Sequence, residues 1–395
     1  MLKTESRPGS PATAGRRQPR LAGAWRHFDF LLAGAAVCIG FIGCLMIYTA
    51  TRDQLQVAGI SPTYYAKKQA IFMLIGIAVM LGVAAIDYRR FGDWALAIYG
   101  FCLLMLMAVL VVGHKSRGSQ AWFQLGGYQF EPSELAKIGL IIALASYCAA
   151  ARGRLSGRAL VALLGLSAVP FALIYKQPDL GSALVLAAVL VAVLLVGGVR
   201  GRHMAALGLL AVVLSFGVVH FGILKTYQKD RLTSFADAPN QPNPAMLATV
   251  AGANEYNVAE SKTAVSNGGI TGQGFGKGTQ TNLSYVPEQR TDFIFTALGE
   301  QFGLVGSAVL LALFAVVVWR TWRAATLARD QFGTLVCVGV LAMIAFQVFE
   351  NIGMTIGIMP VAGIPLPLMS YGGSSVLATF AGLGLVLSVR MRRFS

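Results

Sequence analysis

Residues 181–199 read GSALVLAAVLVAVLLVGGV and contain no charged side chain. A helix needs about 20 predominantly apolar residues to cross the hydrocarbon core of a bilayer, and this stretch has that length and character. Nine further apolar stretches of comparable length lie along the chain, at about 28–50, 69–87, 94–113, 133–150, 158–175, 203–223, 293–319, 331–358 and 374–390. The sequence therefore predicts an all-α integral membrane protein with ten transmembrane helices.

The composition of the whole chain supports this prediction. Of its 395 residues, 56% are hydrophobic and only 12% are charged, whereas soluble domains carry about 25% charged residues. The formal net charge is +15, but we expect no nucleic-acid partner, because the basic residues occur in short clusters between the apolar stretches. The five cysteines lie within those stretches without metal or disulfide spacing, which is typical of small buried hydrophobic residues.

Arginines are concentrated in alternate connections between the apolar stretches. They form five groups: Arg89 and Arg90; Arg152, Arg154 and Arg158; Arg200 and Arg202; Arg320, Arg323 and Arg329; Arg390, Arg392 and Arg393. Because positive residues are retained in short cytoplasmic loops, these connections are predicted to face the cytoplasm, and ten spans then place both termini inside. Residues 1–27 are predicted to form a disordered basic cytoplasmic tail, and residues 28–394 the transmembrane domain.

The other connections are predicted to lie on the extracytoplasmic face. One of them, residues 224–292 between helices seven and eight, is far longer than the rest. A loop of that length in a compact protein is usually either functional or disordered. This one mixes apolar, glycine and charged residues without low complexity, which favours a functional loop. We therefore expect the chemistry of the protein at its outer face.

Charged residues near the ends of the apolar stretches are candidates for a site, and each has a structural alternative. Glu134 and Lys137 are three residues apart on one helical face, which also suits a simple ion pair. Asp179 stands where the sixth span begins and suits its N-cap. In YVPEQRTDFIF, residues 285–295, Asp292 immediately precedes an apolar run, where it is either a helix cap or a catalytic acid.

Three more features interrupt the apolar pattern. Glu300 and Glu350 lie inside predicted spans, where a carboxylate needs a partner or an aqueous cavity. Residues 360–375, PVAGIPLPLMSYGGSS, contain three prolines and are predicted to form a re-entrant or broken segment. Residues 268–280, GGITGQGFGKGTQ, are rich enough in glycine to cradle a phosphate with Lys277 as a cation, although no strand-and-helix context supports a nucleotide-binding fold.

Four long segments together resemble one known family. They are WFQLGGYQFEPSELAKIG at 122–139, KQPDLGSALVL at 176–186, GGITGQGFGKGTQTNLSYVPEQRTDFIFTALGEQFGLVGS at 268–307 and NIGMTIGIMPVAGIPLPLMSYGGSSVLATF at 351–380. In this order they resemble the SEDS family of polytopic membrane proteins (shape, elongation, division, sporulation), and the resemblance covers residues from about 28 to 394. The details GKGTQ and VAGIPLP are more similar to RodA, the elongation member, than to FtsW, the division member.

The resemblance implies an activity, a location and partners. It implies a peptidoglycan glycosyltransferase that polymerises lipid II at the outer face of the bacterial cytoplasmic membrane. It also implies a class B penicillin-binding protein, which is a transpeptidase, and other membrane proteins of the elongation complex as partners. It fixes no cofactor and no metal-binding residue, although a divalent cation, Mg²⁺ or Mn²⁺, would suit a pyrophosphate leaving group.

The resemblance also assigns roles to residues. The family's essential, catalytic acid in the TDFIF segment falls on Asp292. Its Glu and Lys in the PSELxK segment fall on Glu134 and Lys137, and its acid in QPDLG falls on Asp179. The segment Glu260–Ser261–Lys262 departs from the family's usual Gln-Ser-Lys. The other residues expected to bind substrate or line its cavity are Lys176, Lys277, Glu288, Arg290, Ser370 and Tyr371.

The chemistry of chain extension explains these expectations. A sugar hydroxyl is a poor nucleophile, so a carboxylate within hydrogen-bond reach, here Asp292, would act as a general base. The pyrophosphate leaving group develops negative charge that cations must neutralise, and the candidates are Arg290, Lys137, Lys176 and Lys277. Three alternatives stay open at this point: a lipid II flippase, the division-specific polymerase, and a scaffold that only holds a penicillin-binding protein.

Overall fold

A computed structural model describes residues 25–116, 119–151, 155–220 and 250–394 of the chain. The predictions made for residues 1–24 of the tail, for Arg152 and Arg154, and for residues 221–249 of the long loop lie outside the described residues. Within the described ranges the chain is mostly helical, as the apolar stretches predict.

Ten of the described helices coincide with the ten apolar stretches of the sequence. They are α1 Phe30–Val57, α2 Tyr64–Ala85, α4 Ala95–Val112, α5 Pro132–Ala150, α6 Gly157–Lys176, α7 Leu180–Val196, α8 Gly201–His220, α11 Ile294–Thr326, α12 Gln331–Thr355 and α13 Gly373–Met391. Eight of them are long and apolar enough to cross a membrane, whereas α7 and the apolar part of α8 are shorter. A multi-pass helical membrane protein is thus confirmed, and the count of ten spans stays a prediction.

The remaining elements lie in the connections. They are the helices α3 Tyr88–Asp93, α9 Val250–Gly268 and α10 Thr279–Asn282, and an antiparallel sheet of β1 His114–Ser116, β2 Ser119–Leu125 and β3 Tyr128–Phe130. The sequence predicts only a loop at 114–132. The strands β2 and β3 are joined by Gly126 and Gly127, which both have positive φ, as a two-residue hairpin turn requires.

Small residues let the central helices approach each other closely. In α13, a side chain at Gly384 would lie only 2.7 Å from the carbonyl oxygen of Met80 in α2. Lipid tails are as apolar as leucine, so helices in a membrane associate through such close packing rather than through a hydrophobic driving force. Helix α13 is buried along nearly its whole length between its neighbours. It therefore forms the centre of the bundle.

Helix α11 is kinked at Gly303, which has φ 62° and ψ −155°. A side chain there would lie 2.5 Å from the backbone nitrogen of Gly272 and 2.6 Å from the carbonyl oxygen of Ile270. Only glycine combines this conformation with this approach of a second backbone. The first turns of α11 are thus packed against Ile270 and Gly272 of the long loop and turn away from the rest of the helix.

Candidate functional site

A cavity of about 470 Å³ opens at the end of the bundle where α2, α5, α7, α11 and α13 all begin. The hairpin β2–β3 forms one wall, and the irregular segment that precedes α13 forms another. Helix N-termini carry partial positive charge from their unpaired N–H groups. A site surrounded by several of them is therefore suited to an anionic ligand.

Asp292 lines this cavity. Of the two alternatives for Asp292, the structure does not support the helix cap: α11 begins at Ile294, and its N-cap residue is Phe293, without a side-chain cap. The side-chain amide of Asn351 donates to the carbonyl oxygen of Asp292 at 2.7 Å and to that of Ile364 at 2.7 Å. Asp292 is therefore positioned by α12 and by the segment before α13.

The carboxylate of Asp292 faces that same segment. A side chain at Gly363, which has positive φ, would lie 3.6 Å from Asp292 Oδ2. A glycine at this position keeps the space beside the carboxylate open for a ligand. The prolines of the segment prevent a regular helix that would fill the cavity. The irregular segment before α13 thus supplies the cavity wall beside Asp292.

Arg290 lines the cavity two residues before the acid. Its guanidinium lies 4.3 Å from the ring centre of Tyr65, and its carbonyl oxygen accepts from the backbone N–H of Tyr371 at 2.9 Å. The Tyr65 and Tyr371 rings meet edge to face at 5.2 Å. The Arg290 Nε is enclosed and has no hydrogen-bond partner within the described ranges. A fixed guanidinium with donor capacity to spare suits a phosphate oxygen.

The two acids predicted from the first motifs also lie in the cavity wall. Glu134 is 3% exposed and accepts from the ammonium of Lys137 at 2.8 Å, so the predicted ion pair is confirmed. Lys137 itself is fully buried behind Glu134 and does not line the cavity. Asp179 caps α7 by accepting from the N–H of Ser182 at 3.0 Å, as predicted. Its second oxygen, Oδ2, is enclosed without a hydrogen-bond partner in the described part of the chain.

Two ionisable residues of the cavity were missed by the sequence analysis, and the first is Glu131. It accepts from Trp122 Nε1 at 3.2 Å and from Ser133 Oγ at 2.6 Å, which connects strand β2 to the start of α5. Burial, followed by the charges of Asp179 and Glu134, raises the pKa of Glu131 to about 8. Its place in FEPSE, one residue before the helix, was the only indication in the sequence.

The second missed residue is Lys68, in the first turns of α2. Its ammonium lies 4.5 Å from the ring centre of Tyr64 and 4.9 Å from that of Tyr128, and it donates to the carbonyl oxygen of Gly127 at 3.2 Å. Lys68 therefore fastens the hairpin to α2 and adds a second cation to the cavity. Its sequence neighbours gave no motif that would have singled it out.

Four of the other predicted residues lie outside the cavity wall, and one lines it. Lys176 and Lys277 are exposed, and neither lines the cavity. Glu288 accepts the backbone N–H groups of Thr291 and Asp292 at its carbonyl oxygen, so it shapes the turn before the acid. Ser370 is buried, and its hydroxyl accepts from the N–H of Leu366 at 2.8 Å. Tyr371, the next residue, does line the cavity.

The glycine-rich segment 268–280 is organised around a carboxylate. Glu300 is fully buried and accepts from the N–H groups of Gln280 and Thr281 at 2.7 and 2.9 Å, and from the Thr281 hydroxyl at 2.6 Å. The amides that would have cradled a phosphate thus hold the Glu300 side chain. Glu350 is equally buried, but neither of its oxygens has a hydrogen-bond partner among the described residues.

Comparison with known proteins agrees with this architecture. The model of the FtsW/RodA/SpoVE family, described as cell cycle proteins, matches residues 29–394. The chain is 32% identical over 93% of its length to the probable peptidoglycan glycosyltransferase FtsW of Geobacter metallireducens, and covers 95% of that protein. It is 35% identical over 81% of its length to the peptidoglycan glycosyltransferase MrdB of Escherichia coli K12, and covers 84% of it.

A solved structure gives the same result. The structure comes from work on the structural coordination of polymerization and crosslinking by a peptidoglycan synthase complex. One of its chains superposes on this protein with a TM-score of 0.75 and 31% sequence identity, over 93% of this chain and 99% of that chain. The family match extends from the first apolar helix to the last. The chain belongs to the FtsW/RodA/SpoVE family, whose members are also known as SEDS proteins.

Proposed function

We propose that this protein is the peptidoglycan glycosyltransferase of cell elongation, and that it polymerises lipid II at the outer face of the cytoplasmic membrane. The observation that carries the proposal is the cavity that brings Asp292, Arg290 and Lys68 together at one end of a membrane bundle. The arginine-rich connections lie at the other end, so the positive-inside rule directs the cavity outward and both termini inward.

The cavity separates the groups that the reaction needs. Asp292 would remove the proton from the attacking hydroxyl of one lipid II molecule as the new glycosidic bond forms. The pyrophosphate leaves from the anomeric carbon of the other, and Arg290 would neutralise its developing charge. Lys68 stands at the hairpin side, where it would hold a second phosphate or a sugar oxygen. Both lipid tails remain in the bilayer because the cavity lies at the ends of the spans.

The experiment is lipid II polymerisation by the purified protein together with its transpeptidase partner. Replacing Asp292 by Ala or Asn is expected to abolish polymer formation, with a loss of at least about 10²-fold for removal of a general base. The matched control is Asp53→Asn, at the same end of the bundle but paired with Arg52, which should retain activity. A folded Asp292→Ala protein with normal activity would refute the assignment of Asp292 as the base.

We propose that a divalent cation, if the reaction uses one, is bound together with the substrate. Within the described ranges no three His, Cys, Asp or Glu side chains converge on one point, so the chain offers no preformed metal cage there. Mg²⁺ is usually held by one or two carboxylates together with substrate phosphates. We therefore propose that Mg²⁺ or Mn²⁺ would enter with the pyrophosphate and be held by Asp292.

The partner in this proposal is a class B penicillin-binding protein, together with other elongation-complex membrane proteins. The similar chain of the peptidoglycan synthase complex belongs to an assembly that both polymerises and crosslinks, which supports such a partner. The elongation role rests on the RodA-like sequence details, because relatives named FtsW and MrdB are similar to this chain to nearly the same degree. Depletion should give round cells, whereas filaments would assign the protein to division.

Transport of lipid II is the second candidate, and one observation favours it. Glu350 and Gln347 are buried within α12 with no hydrogen-bond partner for their side-chain oxygens in the described part of the chain, and intramembrane polar groups often mark a transport path. Liposomes with labelled lipid II distinguish the two functions. Polymer formation supports the synthase, and flipping without polymer supports the transporter.

A further inference from the structure

A second charged site lies at the opposite end of the bundle from the cavity. Helices α11 and α13 both run from the cavity to this end, and their last turns carry Arg320, Arg323 and Arg390, with Arg393 just beyond. A helix of 19 residues such as α13 is about 28 Å long. This basic cluster, defined as these four arginines, therefore lies about one hydrocarbon thickness from the floor of the cavity.

One buried carboxylate organises the basic cluster. Asp29, which caps α1, accepts from Arg320 Nε at 2.8 Å and from Arg320 Nη2 at 2.8 Å. Its Oδ2 also lies 2.9 Å from Arg390 Nη1. Asp29 thus joins the ends of three helices, but it is the one acid that pairs with the cluster among the described residues. Arg323 and Arg393 have no carboxylate partner there, and the enclosed Nε of Arg393 has no hydrogen-bond partner.

Aromatic side chains surround the cluster on its outer side. The guanidinium groups of Arg320 and Arg323 lie 5.4 and 5.9 Å from the ring centre of Trp319, and Arg393 lies 4.5 Å from that of Phe394. Trp319 is half exposed, as is Trp322 one turn further on. Tryptophan is enriched where a protein meets the headgroup region of a bilayer. The exposed tryptophans beside the cluster are therefore of the kind found at the level of lipid head groups.

Topology alone does not require this arrangement. The positive-inside rule is satisfied by exposed arginines such as Arg158 and Arg202, in the first turns of α6 and α8 at this same end. The cluster instead holds its guanidinium groups together against their mutual repulsion, on helix ends that are fixed by Asp29. Arginines held beside a buried ion-pair network, with aromatic neighbours, form the kind of basic pocket between helices that binds phosphate-bearing head groups.

We propose that Arg323 and Arg393, held in place beside the Asp29–Arg320–Arg390 network, bind the phosphodiester head group of an anionic phospholipid such as phosphatidylglycerol. The exposed apolar side chains of Phe30 and Leu31 at the start of α1 would contact its acyl chains. This source of phosphate is favoured over the free ion because the cluster opens between aromatic and apolar side chains at the bilayer surface.

The test is native mass spectrometry of the full-length protein in detergent, titrated with dioleoylphosphatidylglycerol or with dioleoylphosphatidylcholine. Arg323→Gln/Arg393→Gln is expected to raise the phosphatidylglycerol concentration needed for half-occupancy about tenfold, because each basic side chain near the surface contributes to anionic lipid binding. The matched control, Arg158→Gln/Arg202→Gln, removes the same charge from α6 and α8 and should change that concentration less than twofold. Phosphatidylcholine should bind weakly to all three proteins.

The remaining outcomes decide against the proposal. Equal weakening in the control would show a general charge effect, and unchanged binding in the cluster variant would exclude these arginines. Complete competition by millimolar inorganic phosphate would assign the cluster to the free ion and not to a lipid. The exposed Arg323→Gln single variant, together with melting temperatures of all variants, separates lost binding from misfolding, since Asp29 and its two ion pairs remain in every variant.

Discussion

The guanidinium of Arg290 is stacked over the ring of Tyr65, 4.3 Å from its centre, although 225 residues separate the two in sequence. Such a cation–π contact contributes about 0.5–2 kcal/mol. It fixes the arginine on the cavity wall beside Asp292. Tyr65 is thus a positioning residue that acts through Arg290.

Two substitutions of Tyr65 should distinguish the contribution of its ring from that of its hydroxyl. Tyr65→Phe keeps the aromatic face and is expected to polymerise lipid II at nearly the normal rate. Tyr65→Leu removes the cation–π contact and should reduce the rate by about 2- to 30-fold, the range that corresponds to 0.5–2 kcal/mol. Initial rates of both variants test this. Equal losses in Phe and Leu would instead assign the role to the hydroxyl.

Arg290 should be far more important than the exposed lysines. Arg290→Gln is expected to lower the rate by about 10²–10³, as for other groups that stabilise charge in a transition state. Arg290→Lys should recover only part of the lost rate, because lysine lacks the planar guanidinium group that binds two oxygens at once. Lys176 and Lys277 lie outside the cavity wall. Their substitution by Gln should therefore change the polymerisation rate by less than about twofold. A large loss in either lysine variant would contradict the placement of the pyrophosphate.

Two buried glutamates should differ in how much stability the same substitution costs. Glu300→Gln weakens three hydrogen bonds to the glycine-rich segment and is expected to destabilise the protein by about 1–3 kcal/mol. Glu350→Gln removes a carboxyl group without a hydrogen-bond partner in the described ranges and should cost little. Thermal unfolding measures the stability of both variants. Hydrogen exchange should show faster opening of residues 276–281 only in Glu300→Gln. Similar values for the two variants would contradict the prediction.

Glu131 predicts a pH dependence of stability. Burial and then Asp179 raise its pKa from an ordinary 4.5 to about 8, so between these values the folded protein holds a proton that the unfolded chain releases. This difference makes the contribution of Glu131 to stability fall as pH rises from about 4.5 to 8. Glu131→Gln should remove that fall and raise the melting temperature at pH 8. The control Asp93→Asn, exposed at the other end, should leave the profile unchanged.

The kink in α11 depends on one glycine. Gly303→Ala puts a Cβ against the backbone of the glycine-rich segment at a φ of 62° and should destabilise the protein by about 2–4 kcal/mol. Gly82→Ala, in the last turn of α2 with nothing within 4 Å of its Cβ position, should be neutral or stabilise by up to about 1 kcal/mol. Melting temperatures in one detergent compare them, and a tolerated Gly303→Ala would show that the kink relaxes.

The residues of the cavity differ in how far the sequence reveals them. Asp292, Glu134 and Asp179 stand beside helix starts in motifs, so both their structural and functional alternatives were visible. The ion pair of Glu134 and the cap formed by Asp179 depend on neighbours three residues away, and such local contacts follow from helical spacing. The fold follows for a similar reason, because span length and hydropathy are local properties.

The parts that the sequence did not reveal depend on distant pairings. Lys68 acquires its role only because the hairpin turn at Gly127 returns to α2, and Tyr65 only because Arg290 packs on it. The glycine-rich segment was open to a phosphate interpretation until Glu300, 20 residues away, occupied its amides. No periodicity encodes these contacts, since each requires knowing which helices become neighbours.

The kink at Gly303 divides α11 into a short part next to Asp292 and a longer part that continues through the bundle. The whole helix has 33 residues, about 50 Å, which exceeds the roughly 30 Å thickness of a hydrocarbon core. Helices of excess length tilt to match the membrane around them. The longer part of α11 can change its tilt about Gly303 while Asn351 keeps Asp292 against the loop before α13. We therefore expect the position of Asp292 to vary little with bilayer thickness.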